Sequence, residues 1–217
     1  MSSLSLAAVW PAVHNERQAL IEDLESLTPE QWAAPSLCAG WDIHDVLAHL
    51  VDTAKTTRLR FLRDMVAAKF DFDRATERGV TRERAATPEA TLAEFRRLRE
   101  ATRTPPAAPA TRLVEAIVHG EDIRRPLGLT GTYPGESVDA ALQYQLTTGA
   151  ALGGGKERAV GFRLQASDSQ FEHGSGPGVS GTSLALLMAV SGRPVHREDF
   201  SGAGAAAFIR NLKGASR

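Results

Sequence analysis

Apolar residues recur at helical spacing through the larger, N-terminal part of the chain and alternate as in a strand only near its end. Leu6, Val9, Val13, Leu20, Leu24 and Leu27 form one stripe and predict a first helix over about Ser5 to Leu27, with Pro11 bending it or delaying its start. Thr28-Pro29-Glu30 reads as a cap followed by a fresh helical turn carrying Trp32. Residues 33–41, AAPSLCAGW, read as a loop of small residues. Asp42 is a good N-cap for a second helix running to roughly Lys69, with Ile43, Val46, Leu47, Leu50 and Val51 on its buried face. His44 falls on a different face and reads as surface. Residues 71–86 mix charges without an apolar period and read as a long connection. Thr87-Pro88-Glu89 opens a third helix with Leu92, Phe95 and Leu98 inward. The stiff connector TPPAAP, 104–109, leads into LVEAIVHGEDIRRPLG, Leu113 to Gly128, a helix that stops before Pro126 and Gly128. One more helix covers Ser137 to Leu152, with Val138, Ala141, Leu142 and Leu146 as its apolar side.

The pattern then changes. Thirteen of the nineteen glycines lie from Gly149 onward, which places a domain boundary near the segment 153–156. Val160 to Ala166, VGFRLQA, alternates as a strand, and residues 168–173 offer a second, shorter one. Gly181 to Val190 reads as an apolar helix ending at Gly192, and Ala203 to Leu212 as a last helix. The predicted fold class is α+β: an antiparallel four-helix bundle over 1–152, then a small α/β domain over 153–217. At roughly 60 residues that second domain is too small to be stable unless docked. There is no internal repeat.

Composition narrows the function. An apolar content of 42% suffices for a core, and no run approaches the roughly 18 apolar residues of a membrane span. A net charge of −1 argues against a nucleic-acid surface. The start, MSSLSLAAVWPAVHNER, lacks the pattern of a secretory signal. Cys38 is the only cysteine, which excludes an intrachain disulfide and Cys-rich zinc motifs and fits a reducing cytoplasm. Any metal is then held by His and carboxylate, and Cys38 reads as a small loop residue.

Glu115 and His119 are four apart and share one helix face, with Asp122 three further on near the same stripe. A carboxylate and an imidazole on one inward face are two thirds of a metal site. They are equally a surface pair one turn apart. His49, upstream, lies at the seam between core and solvent where a ligand lining a bundle cavity would stand, although a lone histidine there is more often structural. Eight arginines between Arg74 and Arg103 read as a solvated face, one of which an anionic substrate could use. Two further motifs fail. Gly176-Pro-Gly178-Val-Ser-Gly181 matches G-x-G-x-x-G, but proline removes a donor and only 36 residues follow. Gly153-Gly-Gly-Lys156 lacks the first glycine of a P-loop and its Ser or Thr after lysine.

The ordered set Trp41-x-x-x-Asp45-Val-Leu-Ala-His49-Leu50, Glu115-x-x-x-His119-x-x-Asp122 and Pro126-Leu-Gly128 resembles the mycothiol-dependent maleylpyruvate isomerase family, whose N-terminal domain is a DinB-like metal-binding helical bundle. The resemblance continues through Gly181 to Arg193, GTSLALLMAVSGR, and so covers nearly the whole chain. It implies metal ligands at His49, Glu115 and His119, with Asp122 in the outer shell or touching the cofactor. It also implies a thiol-cofactor role for Arg193. A catalytic arginine of the family has no counterpart here: Gly79 stands at its spacing, with Arg78 and Arg82 as neighbours. The expected activity is a cytoplasmic, divalent-metal and mycothiol-dependent isomerase or S-transferase acting on a small molecule, as a monomer or homodimer. Zinc leads as the metal, with nickel and iron also suited to His and Glu. Two other readings use the same residues. One is a hydrolase or lyase with a metal-activated water. The other is a binding protein whose C-terminal domain, loosely like a sterol-carrier fold, holds an apolar ligand.

Overall fold

The computed structural model describes residues 6–214, so Ser5, where the first helix was expected to begin, lies outside the described residues. The described chain forms two compact units that part between Thr132 and Tyr133.

The first unit is helical. It comprises α1 (Leu6–Leu24), α2 (Pro29–Trp32), α3 (Ile43–Lys55), α4 (Arg58–Ala67), α5 (Phe72–Glu83), α6 (Pro88–Arg97) and α7 (Thr111–Arg124). Four of these close into a bundle, α1 and α3 each packing on both α6 and α7. Leu20, Ile21, Leu24, Ile43, Val46, Leu47, Val51, Leu92, Phe95 and Ile123 fill its core. Each large side chain there contributes about 1.5–3 kcal/mol on leaving water, so the register of α3 against α7 is firmly set. Polar ties reinforce it. The Arg124 guanidinium, fully buried, binds Glu16 and Asp23 of α1. Arg17 of α1 donates to the carbonyls of Leu98, Arg99 and Ala101 and so closes the C-terminal end of α6. Arg112, at the start of α7, donates to the Thr53 carbonyl near the end of α3.

Several local expectations are corrected. Pro11 does not delay α1, which runs through it. The long second helix breaks at Thr56-Thr57. Thr56 Oγ1 bonds back to the Asp52 carbonyl, and Thr57 caps a new helix by accepting from Arg60 N. The supposed connection 71–86 contains α5, capped by Asp71 and packed on α3. Its interior holds only Gly79 and Val80, and its edge is held by ion pairs, Arg82 to Asp52 and Asp64 among them. A charge-laced helix of this kind has no apolar period to read. His44 is buried rather than surface, its Nε2 2.7 Å from Thr91 Oγ1 and its ring against Trp32.

The second unit begins with α8 (Gly135–Thr147), followed by β1 (Arg163–Ala166), β2 (Glu172–Gly174), β3 (Gly178–Gly181), α9 (Ser183–Val190) and α10 (Ala205–Gly214). The sheet order is β2-β1-β3. β2 runs antiparallel to β1 and β3 parallel to it, with Leu164 opposite both His173 and Val179. The division at 132/133 precedes the glycine-rich segment where composition placed it, because the apolar side of α8 packs on α9. Val138, Ala141, Leu142 and Leu146 are all buried there. The G-x-G-x-x-G match is β3. A Cβ on Gly181 would stand 2.7 Å from the Asp199 carbonyl and 2.8 Å from the Phe200 ring, so glycine serves close packing there.

Candidate metal centre

The site is built within the first unit from two bundle helices and one loop. α3 carries His49, α7 carries Glu115, His119 and Asp122, and the loop before α3 carries Cys38 and Trp41. The 3.6-residue turn places Glu115 and His119 one above the other on the face of α7 that meets His49. The Glu115 carboxylate stands between the two imidazoles: Oε2 is 3.1 Å from His49 Nε2 and 3.5 Å from His119 Nε2. The two rings meet edge to face at 4.6 Å. The donor atoms of all three residues lie within 4.8 Å of one another.

The residues fit a divalent ion. Tetrahedral ligands at bond lengths of about 2.1 Å stand about 3.4 Å apart, close to the spacing found. The tautomer of His119 also suits ligation. Its Nδ1–H donates to Asp122 Oδ2 at 2.9 Å, which leaves the Nε2 lone pair toward Glu115. Asp122 is wholly buried. His49 is oriented differently, by ring contact with Trp41 at 5.3 Å, and its Nδ1 has no hydrogen-bond partner among the described residues.

Electrostatics agree. Burial alone would raise the Glu115 carboxyl, but the hydrogen bond from His49 and the charges of His49, His119 and Arg112 outweigh it and hold the group well below the usual carboxylate range. Burial, helped by the charge of His49, pushes His119 below the usual imidazole value against the pull of Asp122 and Glu115. The carboxylate is thus ionised and the His119 imidazole neutral near pH 7, the protonation states that ligation requires.

Cys38 was not expected here. Its thiol donates to Asp122 Oδ2 at 3.0 Å and lies 3.7 Å from His119 Nδ1, so Cys38, His119 and Asp122 form a second convergent trio sharing His119. Only the fold joins Cys38 to residues some eighty positions away. The remaining candidates of the first unit do not converge on this centre. Gly79 faces Asp52, Arg78 is exposed and Arg82 is taken up by Asp52 and Asp64. Arg193 belongs to the second unit, where its Nη1 donates to the Ser191 carbonyl at the end of α9 at 2.8 Å. No helix among the described residues is long and apolar enough to cross a membrane.

Residues 13–110 match the family model described as the mycothiol maleylpyruvate isomerase N-terminal domain, a span that includes Cys38, Trp41 and His49 and ends before Glu115. No curated protein matches the chain. Two solved structures resemble it along 94% of its length and 97% of theirs: the mycothiol-dependent maleylpyruvate isomerase, at 15% identity and TM-score 0.64, and a histidine-to-alanine variant of the mycothiol-dependent maleylpyruvate isomerase, at 14% identity and TM-score 0.66. The chain thus has the fold of the mycothiol-dependent maleylpyruvate isomerases, and its residues 13–110 match the model of their N-terminal domain.

Proposed function

We propose that this chain is a divalent-metal and thiol-dependent enzyme, an isomerase or S-transferase of the maleylpyruvate isomerase type, with His49, Glu115 and His119 as its metal ligands and mycothiol as its thiol. The observation that carries the reading is the convergence of two imidazoles on one half-buried carboxylate, with an outer, buried carboxylate fixing one ring. Two histidines and one carboxylate leave coordination positions open, as catalytic sites do. His49, Glu115 and His119 would hold a divalent ion, which would supply the positive charge that lowers the pKa of a bound thiol and makes it a nucleophile at neutral pH.

The chain's own residues prepare for that. Glu115 offers a formal negative charge without first losing a proton, and His119 offers a neutral lone pair. Asp122 holds the His119 ring in place. Being wholly buried and engaged with His119 and Cys38, it orients rather than touches the cofactor. Arg193 is assigned by resemblance to the anionic part of the thiol. Its bond to the Ser191 carbonyl and the turn at Gly192, φ +79°, restrain the side chain that would present the guanidinium. The absence of room beside Gly79 argues for a substrate bound without the family's loop arginine. Zinc leads among the metals, and a reducing cytoplasm suits both the single thiol and the cofactor.

The test is elemental analysis of the purified protein, followed by turnover with maleylpyruvate and related small substrates with and without mycothiol. About one divalent ion per chain is expected, with turnover needing both ion and thiol. His49→Ala, Glu115→Ala and His119→Ala should each weaken the ion strongly. Full metal stoichiometry and affinity in all three variants would place the site elsewhere, and turnover without thiol would favour a hydrolase or lyase.

A further inference from the structure

The loop before α3 reaches the centre twice. Trp41 lies against the His49 ring at 5.3 Å, while Cys38 donates its thiol proton to the oxygen of Asp122 that accepts from His119 Nδ1. The loop itself is tightly determined. Ser36 Oγ donates to the carbonyls of Cys38 and Trp41 and accepts from Cys38 N, and Trp41 N donates to the Cys38 carbonyl. It is anchored to α7 through Leu37 N and to the start of α3 through the Asp42 cap. The residue whose carbonyl receives Leu37 N is Asp122, so the loop grips both the backbone and the side chain of one residue.

We propose that Cys38 is a positioning residue of the metal centre. Its thiol holds the Asp122 carboxylate in the orientation that fixes the His119 tautomer and aims Nε2 at the ligand position. The inference rests on the metal reading above and concerns this chain's own residues. The chemistry favours it over a merely space-filling role. A wholly buried carboxylate needs donors, and Oδ2 receives two of them from directions fixed by different elements, α7 and the loop. Losing one leaves the carboxylate freer to turn about its Cβ–Cγ bond, and the His119 ring turns with it. Sulfur is a weak donor, so the effect is smaller than the loss of the carboxylate itself.

The 217-residue protein carrying Cys38→Ala, Cys38→Ser, Asp122→Asn, or Asp122→Asn with Cys38→Ala provides the test, with zinc as the titrant and cobalt(II) as the spectroscopic probe. An outer-shell partner is worth about 10–100-fold in metal affinity, and Cys38→Ala, one step further out, should weaken zinc by about fivefold. Cys38→Ser keeps a donor and should restore affinity to within about twofold of wild type. Because Cys38 acts through Asp122, adding Cys38→Ala to Asp122→Asn should cost nothing further. The cobalt absorption bands of Cys38→Ala should shift relative to wild type and those of Cys38→Ser should not. Metal-free Cys38→Ala and Cys38→Ser should melt close to each other, so that a difference in zinc affinity between them reports positioning rather than stability. Wild-type affinity in Cys38→Ala, or a loss that adds in full to that of Asp122→Asn, overturns the inference while leaving the metal reading intact. A wild-type protein that binds no zinc or cobalt overturns the metal reading, and the role of Cys38 with it.

Discussion

His119 is pulled in opposite directions. Burial and the nearby charge of His49 disfavour its protonated form, Asp122 and Glu115 favour it, and burial wins, so its pKa lies below the ordinary 6.5. The sign of the pH dependence follows. A histidine depressed in the folded state stays neutral, and able to ligate, at pH values where a free imidazole is half protonated. The stability that this contributes to the metal-free protein is fully present above the unfolded value of 6.5 and is lost as pH falls through the lower folded value. Proton competition at His119 should therefore set in at lower pH than at a free imidazole. Zinc affinity measured by competition titration from pH 8 to 5 should fall most steeply in the acid part of that range. A decline concentrated above pH 7 would show that His119 is not depressed.

Gly79, at the scale of the elements, explains how closely α5 sits on α3. A Cβ at that position would come within 2.4 Å of Asp52 Oδ2 and 2.8 Å of its Cγ. Asp52 cannot easily yield, because Arg60 and Arg82 hold its carboxylate at 2.7 and 2.6 Å. Gly79→Ala should destabilise the protein by about 1–2 kcal/mol, the overpacking cost less the small gain in helix propensity. Urea denaturation measures it, and an unchanged or raised midpoint would mean that α5 adapts. The caps at Thr28, Asp42, Thr57, Asp71, Thr87 and Thr182 were open to sequence reading in different degrees. Thr28, Asp42 and Thr87 announced themselves by a following proline or apolar stripe. Thr57 and Asp71 lie inside charged sequence, where nothing marks a start.

The division of the whole molecule at 132/133 carries its own prediction. A chain ending at Thr132 keeps the whole bundle and all six residues of the candidate metal centre. It should stay helical by circular dichroism and retain its ion. A chain ending at Leu152 adds α8 without α9 and exposes Val138, Ala141, Leu142 and Leu146, which α9 otherwise covers. Exposed stripes of that kind drive association, so the longer fragment should elute as aggregates in size-exclusion chromatography and the shorter one as a single species. The opposite ranking would move the boundary back to the glycine-rich segment.

The sequence by itself determined what depends on local period and spacing. The stripes of α1, α3, α6 and α7, the bundle that they form, the alternation of β1 and the shared face of Glu115 and His119 all follow from residues a few positions apart. Local pattern reads position 49 only as a seam between core and solvent, and the resemblance alone paired it with a carboxylate sixty-six residues on. Tertiary structure decided that pairing, as it decided the burial of His44 against Thr91 and the docking of α5. It also made a ring-orienting contact of Cys38, which is separated from Asp122 by eighty-four positions. The physical reason is the same each time. Hydrogen bonds to buried groups are directional and span two or three ångströms, and no pattern along the chain records which distant atoms the packing brings into that range.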